Sequence, residues 1–467
     1  MRVVSYGREW LLGLALALLV SGSAAAQTVQ KLPEGAGAIG KSPGAIVLPG
    51  YADVPRPPAF DEAKRREVLQ QSTIVDDSTP QPAFVGQMRA PKPARTAQYR
   101  LEVAAEGLDR PWSLAFLPDG RMLVSETLRG LRIIERDGKL GAPITTGLPL
   151  DFSKRGQELL DSVPDRDFAR NRTIYLLFRK PPPEARDIGK GEEDFPIHYP
   201  QIEMAASAQL SRDEHSLTNV KMLLNVQGIE GRMAQGPDGK LYITSGPLAG
   251  RGVLVRNWTQ PQLPGSLMGK LLRINTDGTA PADNPFVGKA DTRPEIWAFG
   301  VRDAQSIAFD AQGRLWTAEN GPMGGDEVNR IEKGKNYGFP VISYGREYSG
   351  ELINGGLTSK AGLEQPIYFW TPSVAPSGMT FYTGDLFPEW KGNLFIATMA
   401  PRIGRKVIRL VLDETPQGWR VAGEEWLLTE LDGMRFRDLK QGPDGALYAM
   451  SDARTPAGDK IYRIVPK

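Results

Sequence analysis

The chain has 467 residues, of which 40% are hydrophobic and 24% charged, as in an ordinary soluble protein. Its formal net charge of +2 lacks the basic surplus that a nucleic-acid-binding surface requires, so we expect no nucleic-acid partner. No cysteine is present, which excludes disulfides, thiolate metal sites, c-type haem attachment and cysteine nucleophiles.

The N-terminus has the features of a secretory signal. Arg2 and Arg8 precede the apolar run WLLGLALALLV, and the small residues of SGSAAA follow up to Ala26. This order predicts a signal peptide at residues 1–26. The apolar run is too short to span a bilayer, so we expect no membrane anchor once the signal is removed. Because no twin-arginine pair is present, general secretion to the periplasm or out of the cell is the expected route.

Residues 27–96 carry ten prolines and no sustained apolar period. Such a segment cannot bury enough apolar surface to offset its chain entropy, so we predict that it is extended or disordered. The composition changes at about residue 97, where short β-type runs separated by turn dipeptides begin. We therefore assign residues 97–467 to the folded domain.

The folded part consists of repeated hairpins. LAFLPDGRMLVSE, MAQGPDGKLYITSG, IAFDAQGRLWTAEN and LKQGPDGALYAMSD each join two apolar runs through a glycine turn, and LLDSVPDRDFARNRTIYLLF and MTFYTGDLFPEWKGNLFIAT are looser copies. Asp-Gly between alternating hydrophobic residues is a strong hairpin signal. Six such units favour an all-β, six-bladed β-propeller of four-stranded antiparallel blades over a sandwich of hairpins. The glycine-rich stretch 319–350 would then be a ligand-binding loop between the fourth and fifth units.

Five segments share the motifs of one family. They are GKLLRINTDGTAPADNPFVG, RPEIWAFGVRDAQSIAFD, ENGPMGGDEVN with the following NYGFP, TPSVAPSGMTFYTGD, and RFRDLKQGPDGALY. Through them, residues 82–467 resemble the soluble quinoprotein aldose dehydrogenases of the glucose/sorbosone dehydrogenase type, which bind pyrroloquinoline quinone. The resemblance implies the propeller fold and sugar oxidation, although a shared fold does not by itself establish an activity.

The resemblance also implies two calcium sites. In that family the Gly-Pro of a GPxGGDE loop offers main-chain carbonyls to the calcium on the quinone, and the matching residues are Gly321 and Pro322. A second, structural calcium uses the glutamate of GGDE and the tyrosine of NYG, which match Glu327 and Tyr337. Hard oxygen ligands of this kind suit Ca²⁺. The alternative is a plain glycine-rich turn without a metal.

The cofactor that the resemblance implies is a planar tricarboxylate, so its pocket would need guanidinium groups and an aromatic surface. Arg435 and Arg437 are two residues apart, so on a strand both side chains would point to one face. Without the family match, this spacing is more typical of a solvated strand face. The cofactor-binding positions that the resemblance implies are Gln157, Arg302, Asp303, Asn320, Tyr368, Trp370, Arg402 (or Arg405), Arg435 and Arg437.

The family's catalytic histidine is missing. It stands four residues before the arginine of GGRxxxGPDG, and in NVQGIEGRMAQGPDG this position is Gly228. Glu230 is the candidate general base in its place, with Arg302 as the other catalytic residue; a loop carboxylate facing water is the alternative for Glu230. If the pocket is otherwise intact, Gly228→His should raise sugar oxidation. The two histidines of the chain, His198 and His215, lie in polar stretches where we expect exposure.

Two functions therefore compete. The first is a periplasmic, Ca²⁺- and pyrroloquinoline-quinone-dependent oxidoreductase that takes a hydride from C1 of a sugar, or from another alcohol, and serves an unidentified electron acceptor. The second is a propeller that kept the scaffold, lost the oxidation chemistry and binds a carbohydrate, another ligand or a protein. A hydrolase would have to recruit one of two unpromising histidines. We favour the dehydrogenase.

Overall fold

The computed structural model describes most of the chain from residue 80 onward. The described residues are 80–154, 156–181, 202–226, 228, 231–247, 259–347, 350–400, 404–431, 433–453 and 455–467. The predicted signal peptide and most of the predicted extended segment lie outside them. Within these ranges, no helix has both the length and the apolar character needed to cross a membrane.

Strands dominate the described chain. In chain order they are β1 (Tyr99–Leu108), β2 (Pro111–Phe116), β3 (Met122–Glu126), β4 (Gly130–Ile134), β5 (Glu158–Pro164), β6 (Thr173–Lys180), β7 (Ile202–Leu210), β8 (Leu217–Asn225), β9 (Met233–Gln235), β10 (Leu241–Ser245), β11 (Lys270–Ile274), β12 (Ile296–Phe299), β13 (Asp303–Phe309), β14 (Leu315–Asn320), β15 (Asp326–Ile331), β16 (Tyr368–Trp370), β17 (Pro376–Phe381), β18 (Leu394–Thr398), β19 (Val407–Thr415), β20 (Gly418–Leu427), β21 (Phe436–Gln441), β22 (Leu447–Ser451) and β23 (Asp459–Pro466). The helical segments are α1 (Phe168–Asn171) and three 3₁₀ turns at Gln260–Gln262, Ile353–Gly356 and Pro388–Trp390.

These strands form six antiparallel sheets, which are the blades of a ring. The first strands of the blades contact one another around the ring and line its axis; they are β2, β5, β9, β13, β17 and β21. Blade 6 combines β21, β22 and β23 with the N-terminal strand β1, so the two ends of the domain close the ring together. The predicted six-bladed propeller is confirmed.

Two details differ from the predicted pattern. Blade 1 has only three regular strands, and the isolated bridges from Leu131 to Ile144 and from Ile134 to Leu140 take the place of a fourth. The stretch 319–350, which we expected to be a loop, contains the buried strand β15 of blade 4. Its many glycines and charged residues concealed a strand that is buried on both faces between neighbouring blades.

Packing between blades explains why so many strands are apolar on both faces. Six hydrophobic clusters fill the six spaces between neighbouring blades. In β3, for example, Leu123 packs toward blade 2 while Met122 and Val124 pack toward blade 6, and all five positions are buried. Strands buried on both faces read as nearly continuous apolar runs. The core is therefore divided among the interfaces between the blades.

The glycine turns lie together on one side of the ring, here called the bottom face. The first strands all run in the same direction along the axis, so they begin together on the opposite side, here called the top face. Gly239 and Gly445 adopt φ values of 76° and 79° in these turns, a conformation that favours glycine. In three blades the turn aspartate accepts a hydrogen bond from an aromatic side chain of the second strand: Asp238 from Tyr242, Asp310 from Trp316 and Asp444 from Tyr448.

Residues 87–95, here called the strap, run along the outer wall of blades 4 and 5. Phe369 N donates to Gln87 O and Glu424 N donates to Pro91 O, each at 2.9 Å. Because β16 and β20 are the outermost strands of these two blades, the strap pairs with edges that would otherwise present open backbone groups. This part of the proline-rich segment is thus attached to the propeller without forming a regular strand.

Candidate functional site

The predicted arginines come from distant parts of the sequence but meet at the top face. Arg302 directly precedes β13, and Arg435 and Arg437 stand at the start of β21. Both strands begin at the top of the axis. Arg437 Nη1 donates to Gln305 Oε1 on β13 at 3.3 Å, so blades 4 and 6 are linked directly. The ring closure brings these groups together.

Two of these arginines share one carboxylate. Arg435 Nη2 and Arg437 Nη2 lie 2.8 and 2.7 Å from Asp452 Oδ2. Burial alone would raise the pKa of Asp452, but attraction to Arg437 and Arg435 outweighs burial and lowers this pKa to about 2. Burial lowers the pKa of Arg437 to about 10, although Asp452 opposes the change. The trio has one more cation than anion, so it favours a further negative group.

Arg232 connects three blades across the axis. Its Nε donates to Gln305 O of blade 4 at 3.1 Å, and its Nη2 donates to Arg437 O of blade 6 at 2.9 Å. Trp112 of blade 1 covers this group, with its ring centroid 4.3 Å from Cζ of Arg437 and 5.7 Å from Cζ of Arg232. We did not expect either Trp112 or Arg232 in the site. Each lies at the start of the first strand of a blade, and this position in the sequence could have identified both residues.

Arg302 is fixed by the end of strand β14. Its backbone N donates to Glu319 Oε2 at 3.0 Å, and its guanidinium Nη1 donates to the backbone oxygen of Asn320. Asp303 lies close to the same guanidinium, with 3.9 Å between Oδ2 and Nη1. Within the described part of the chain, the buried Oδ1 of Asn320 has no hydrogen-bond partner. An unpaired buried acceptor costs about 1 to 3 kcal/mol, so this position suits a ligand that donates to it.

Asp326 fixes the predicted calcium-binding loop. Its Oδ1 accepts a hydrogen bond from Gly321 N at 2.9 Å. Its Oδ2 accepts three bonds of 2.7 Å, from the hydroxyl of Ser373 and the amides of Val374 and Ala375. Burial raises the pKa of Asp326 to about 6, and these hydrogen bonds oppose the rise. The loop of blade 4 is therefore tied to the connection that leads into blade 5.

This loop leaves two main-chain oxygens available. Within the described residues, no donor is bonded to the carbonyl of Gly321 or Pro322. A Cβ at position 321 would lie 1.9 Å from Gly324 O, so a residue other than glycine would displace the turn. Carbonyls held in this way are ligands that Ca²⁺ accepts. Across the described ranges, however, no group of three or more acidic or histidine side chains could hold a metal, and both calcium sites stay predictions.

The predicted structural calcium site contains a pair of buried carboxyl groups. Glu319 and Glu327 are direct partners on β14 and β15. Burial raises the pKa of Glu319 to about 7, and burial together with the charge of Glu319 raises the pKa of Glu327 well above its usual range. Tyr337, the other predicted ligand, donates its hydroxyl to Arg330 O at 2.6 Å. A cation between the two carboxyl groups would allow both to ionise.

Other predicted cofactor residues make contacts elsewhere. Tyr368 OH and Trp370 Nε1 both donate to Glu424 on β20, so their polar atoms point to the outer wall instead of the axis. Gln157 accepts a hydrogen bond from the backbone of its own loop. Arg405 donates to a backbone carbonyl of the neighbouring top-face connection. The structure therefore unites the arginines but does not bring these residues to them.

The position of the missing histidine is closely packed. Gly228 is buried, and a Cβ there would lie 2.1 Å from Ser245 Oγ and 2.5 Å from Gly246 O. The hydroxyl could rotate away, but the backbone oxygen could not, so any side chain requires the backbone to move. The expectation that Gly228→His would restore the reaction therefore does not fit this backbone. Glu230 and Arg402 lie outside the described residues.

The chain is thus a six-bladed propeller that gathers buried arginines at one end of its axis. More narrowly, the chain belongs to the family described as Glucose / Sorbosone dehydrogenase, whose profile matches residues 108–463. The resemblance seen in the motifs is thereby confirmed.

Named relatives agree with this assignment. Aldose sugar dehydrogenase YliI of Escherichia coli (strain K12) is 36% identical over 387 residues, which are 80% of this chain and 95% of that protein. Quinoprotein glucose dehydrogenase B of Acinetobacter calcoaceticus is 25% identical over 438 residues, with 77% of this chain and 86% of that protein covered. A solved structure also matches, that of the apo-form of the soluble aldose sugar dehydrogenase from Escherichia coli. The TM-score is 0.67 at 32% identity, and the match covers 79% of this chain and 100% of the other chain. The chain is thus similar to oxidoreductases that act on sugars.

Proposed function

We propose that the protein is a periplasmic quinoprotein dehydrogenase that oxidises the C1 hydroxyl of an aldose. The observation that carries this proposal is the gathering of Arg302, Arg435 and Arg437 at the top face, where Gln305 of β13 bonds to Arg437. Relatives named as an aldose sugar dehydrogenase and a quinoprotein glucose dehydrogenase support it. The predicted signal peptide supports export.

The residues at the top face fit pyrroloquinoline quinone with Ca²⁺. Arg435 and Arg437 already bind one carboxylate, Asp452, and their remaining positive charge would bind a carboxylate of the cofactor. The open carbonyls of Gly321 and Pro322 would bind the calcium ion. When bound, the quinone would supply the hydride acceptor, so that loss of the C1 hydride and of the hydroxyl proton would turn the aldose into a lactone.

The chain's own groups would orient the sugar and remove its proton. Arg302 is held at both its backbone and its guanidinium, so it can stabilise negative charge that develops on the anomeric oxygen. The proton of that hydroxyl needs a separate acceptor. His215, the only histidine in the described ranges, is exposed on a bottom-face hairpin. Glu230, two residues from the family's histidine position, is the proposed acceptor.

A specific observation favours the second candidate, a binding propeller without oxidation chemistry. The family places its catalytic histidine where this chain has Gly228, and the packing around Gly228 is adapted to glycine. Loss of a general base costs about 10² to 10⁴ in rate. If no other group replaces it, the arginines would bind a ligand without turning it over.

Reconstitution of the purified protein with Ca²⁺ and pyrroloquinoline quinone tests both candidates. We expect a saturable change in the quinone absorbance, followed by reduction of an artificial electron acceptor when an aldose is added. Arg437→Ala, measured in parallel, identifies binding that depends on the guanidinium cluster. Quinone binding without turnover of any aldose would support the binding propeller. Failure of the wild type to bind quinone would overturn the cofactor assignment.

A further inference from the structure

A groove of about 650 Å³ lies between the strap and the outer strands of blades 4 and 5. The strap residues Arg89 and Lys92 form one side, while Trp370, Glu424 and Trp426 form the other. Small-molecule sites typically measure about 300 to 1,000 Å³, so the groove has the size of a ligand site. It lies on the outer wall, whereas the arginine cluster lies at the axis.

Glu424 accepts three hydrogen bonds in this groove but has no ion pair with a basic side chain of the described residues. Trp426 Nε1 and Trp370 Nε1 donate to its Oε1 at 2.6 and 3.2 Å, and Tyr368 OH donates to its Oε2. All three donors are neutral, and no basic side chain of the described residues forms an ion pair with Glu424. A carboxylate accepts about four hydrogen bonds, so with three in place there is capacity for one hydroxyl group of a ligand.

Trp426 supplies a flat apolar surface beside this carboxylate. It is 47% exposed, although it is one of the largest side chains and stands on a regular strand. Lys406 Nζ lies 3.6 Å from its ring centroid and occupies one face of the indole. Exposed aromatic rings with polar neighbours are typical of binding surfaces. The C–H face of a pyranose ring matches such a surface.

The charges around the groove select the ligand class. Glu424 offers an acceptor from β20, while Arg89 and Lys92 offer donors from the strap. Glu425 also lines the groove, but its carboxylate is paired with Arg409. Charges of both signs repel part of any strongly anionic or strongly cationic ligand. A neutral molecule with many hydroxyl groups and one apolar face can use the donors, the acceptor and the indole together.

We propose that this groove binds a neutral saccharide on the outer wall of the propeller, apart from the top face. The site would hold an oligosaccharide or polysaccharide near the protein without taking part in oxidation. The proposal concerns binding alone and does not depend on dehydrogenase activity.

Indole NMR of the full mature chain can test this. The protein, labelled with ¹⁵N at its tryptophans, is titrated with cellotriose and maltotriose, and signals are assigned with single Trp→Phe variants. We expect the Trp370 and Trp426 signals to shift and saturate with a dissociation constant of about 1 mM. Trp426→Ala should weaken binding, read at Trp370, by about tenfold or more, since one ring face is lost. Glu424→Gln should weaken it as well.

Leu386→Ala is the matched control, because Leu386 is an exposed apolar residue of blade 5 outside the groove lining. It should leave saccharide binding unchanged. Choline serves as a cationic probe, and stronger shifts with choline than with either saccharide would overturn the ligand class. Shifts confined to Trp112 would mean that saccharides bind only at the top face, which overturns the groove but leaves the proposed function intact. If no tryptophan signal shifted, the saccharide site would also be overturned. This outcome includes a groove that is filled by another segment of the chain.

Discussion

The two faces of the propeller use charged residues in different ways. At the bottom face, Asp238 binds Tyr242 and Arg273 of its own blade, and the turns of other blades repeat this arrangement. At the top face, Arg232 bonds to two other blades, and Arg437 bonds to blade 4 through Gln305. The turn contacts recur in several blades and therefore help to specify the fold, whereas the contacts that join blades across the axis occur once and form the candidate site.

Loss of Arg437 should have the largest effect on stability and cofactor binding, because this residue makes buried contacts between blades at the top face. Arg437→Ala leaves the buried Asp452 with one guanidinium, and breaking a buried ion pair costs about 3 to 5 kcal/mol. We expect this loss of unfolding free energy in urea, together with weaker quinone binding. Arg437→Lys should recover only part of both because lysine lacks the planar fork. Quinone affinity equal to that of the wild type would remove Arg437 from the cofactor site.

Calcium should stabilise the fold by binding at the top face, where the predicted carbonyl ligands lie, and not at the bottom face. If Gly321 and Pro322 bind Ca²⁺, an ion at about 100 times its dissociation constant stabilises the fold by about 2.7 kcal/mol. Chelation should therefore lower the melting temperature, Ca²⁺ should restore it, and Mg²⁺ should restore it poorly because it requires tighter octahedral geometry. A melting temperature that does not respond to chelator would identify the loop as a plain glycine turn.

The stability contributed by Asp452 should depend on pH in a defined direction. Its pKa is lowered to about 2, whereas an unfolded aspartate titrates near 3.9. A lowered pKa stabilises the fold above the unfolded value, and this contribution of about 2 to 3 kcal/mol is lost as the pH falls from about 4 to about 2. Urea unfolding of the wild type and Asp452→Asn should show a gap in stability that narrows over this range. A gap that stays constant would show that Asp452 does not titrate in the folded state as described.

Gly228 offers a smaller test on the same face. Gly228→Ala places a methyl group 2.5 Å from Gly246 O and should cost about 1 to 3 kcal/mol, as overpacking generally does. Gly265→Ala is the matched control, since its Cβ would approach no atom closer than 3.4 Å. We now expect Gly228→His to give no gain in sugar oxidation. A stable, more active Gly228→His protein would contradict the packing seen here.

The difference between the faces also explains how much the sequence could predict. The hairpin repeat is local, so the Asp-Gly turns and their flanking strands identified six blades. The family motifs pointed to Arg302, Arg435 and Arg437, and all three lie at the top face; that they bind a cofactor stays a prediction. Arg232 and Trp112 were missed because their roles come from ring closure, which joins residues far apart in sequence. Strand β15 was missed because its polar side chains are buried by pairing with other blade residues, which no local pattern reveals.

Tyr368 and Trp370 show the opposite error, because they were predicted in the site and lie elsewhere. The motif placed them in the cofactor site, but both side chains donate to Glu424 on the outer wall. Both rings pack between blades 4 and 5, and the strap adds a hydrogen bond, from Ala90 N to Tyr368 OH. A motif can therefore be present while the packing of its strand against a neighbouring blade turns its side chains away from the axis.

The smallest expected loss of stability comes from the turn aspartates of the bottom face. Asp238→Ala removes an acceptor for Tyr242 and Arg273, but its side chain is 33% exposed and Arg273 keeps Asp283 and Asn284 as partners. We therefore expect a loss of only about 1 kcal/mol in unfolding free energy. Asp444→Ala, at the equivalent turn of blade 6, should behave in the same way, and neither change should alter quinone affinity. Urea unfolding and quinone titration of both variants measure this. If either variant weakened quinone binding as much as Arg437→Ala, the turn contacts would support the candidate site as well as the fold, and the two faces would not be separable.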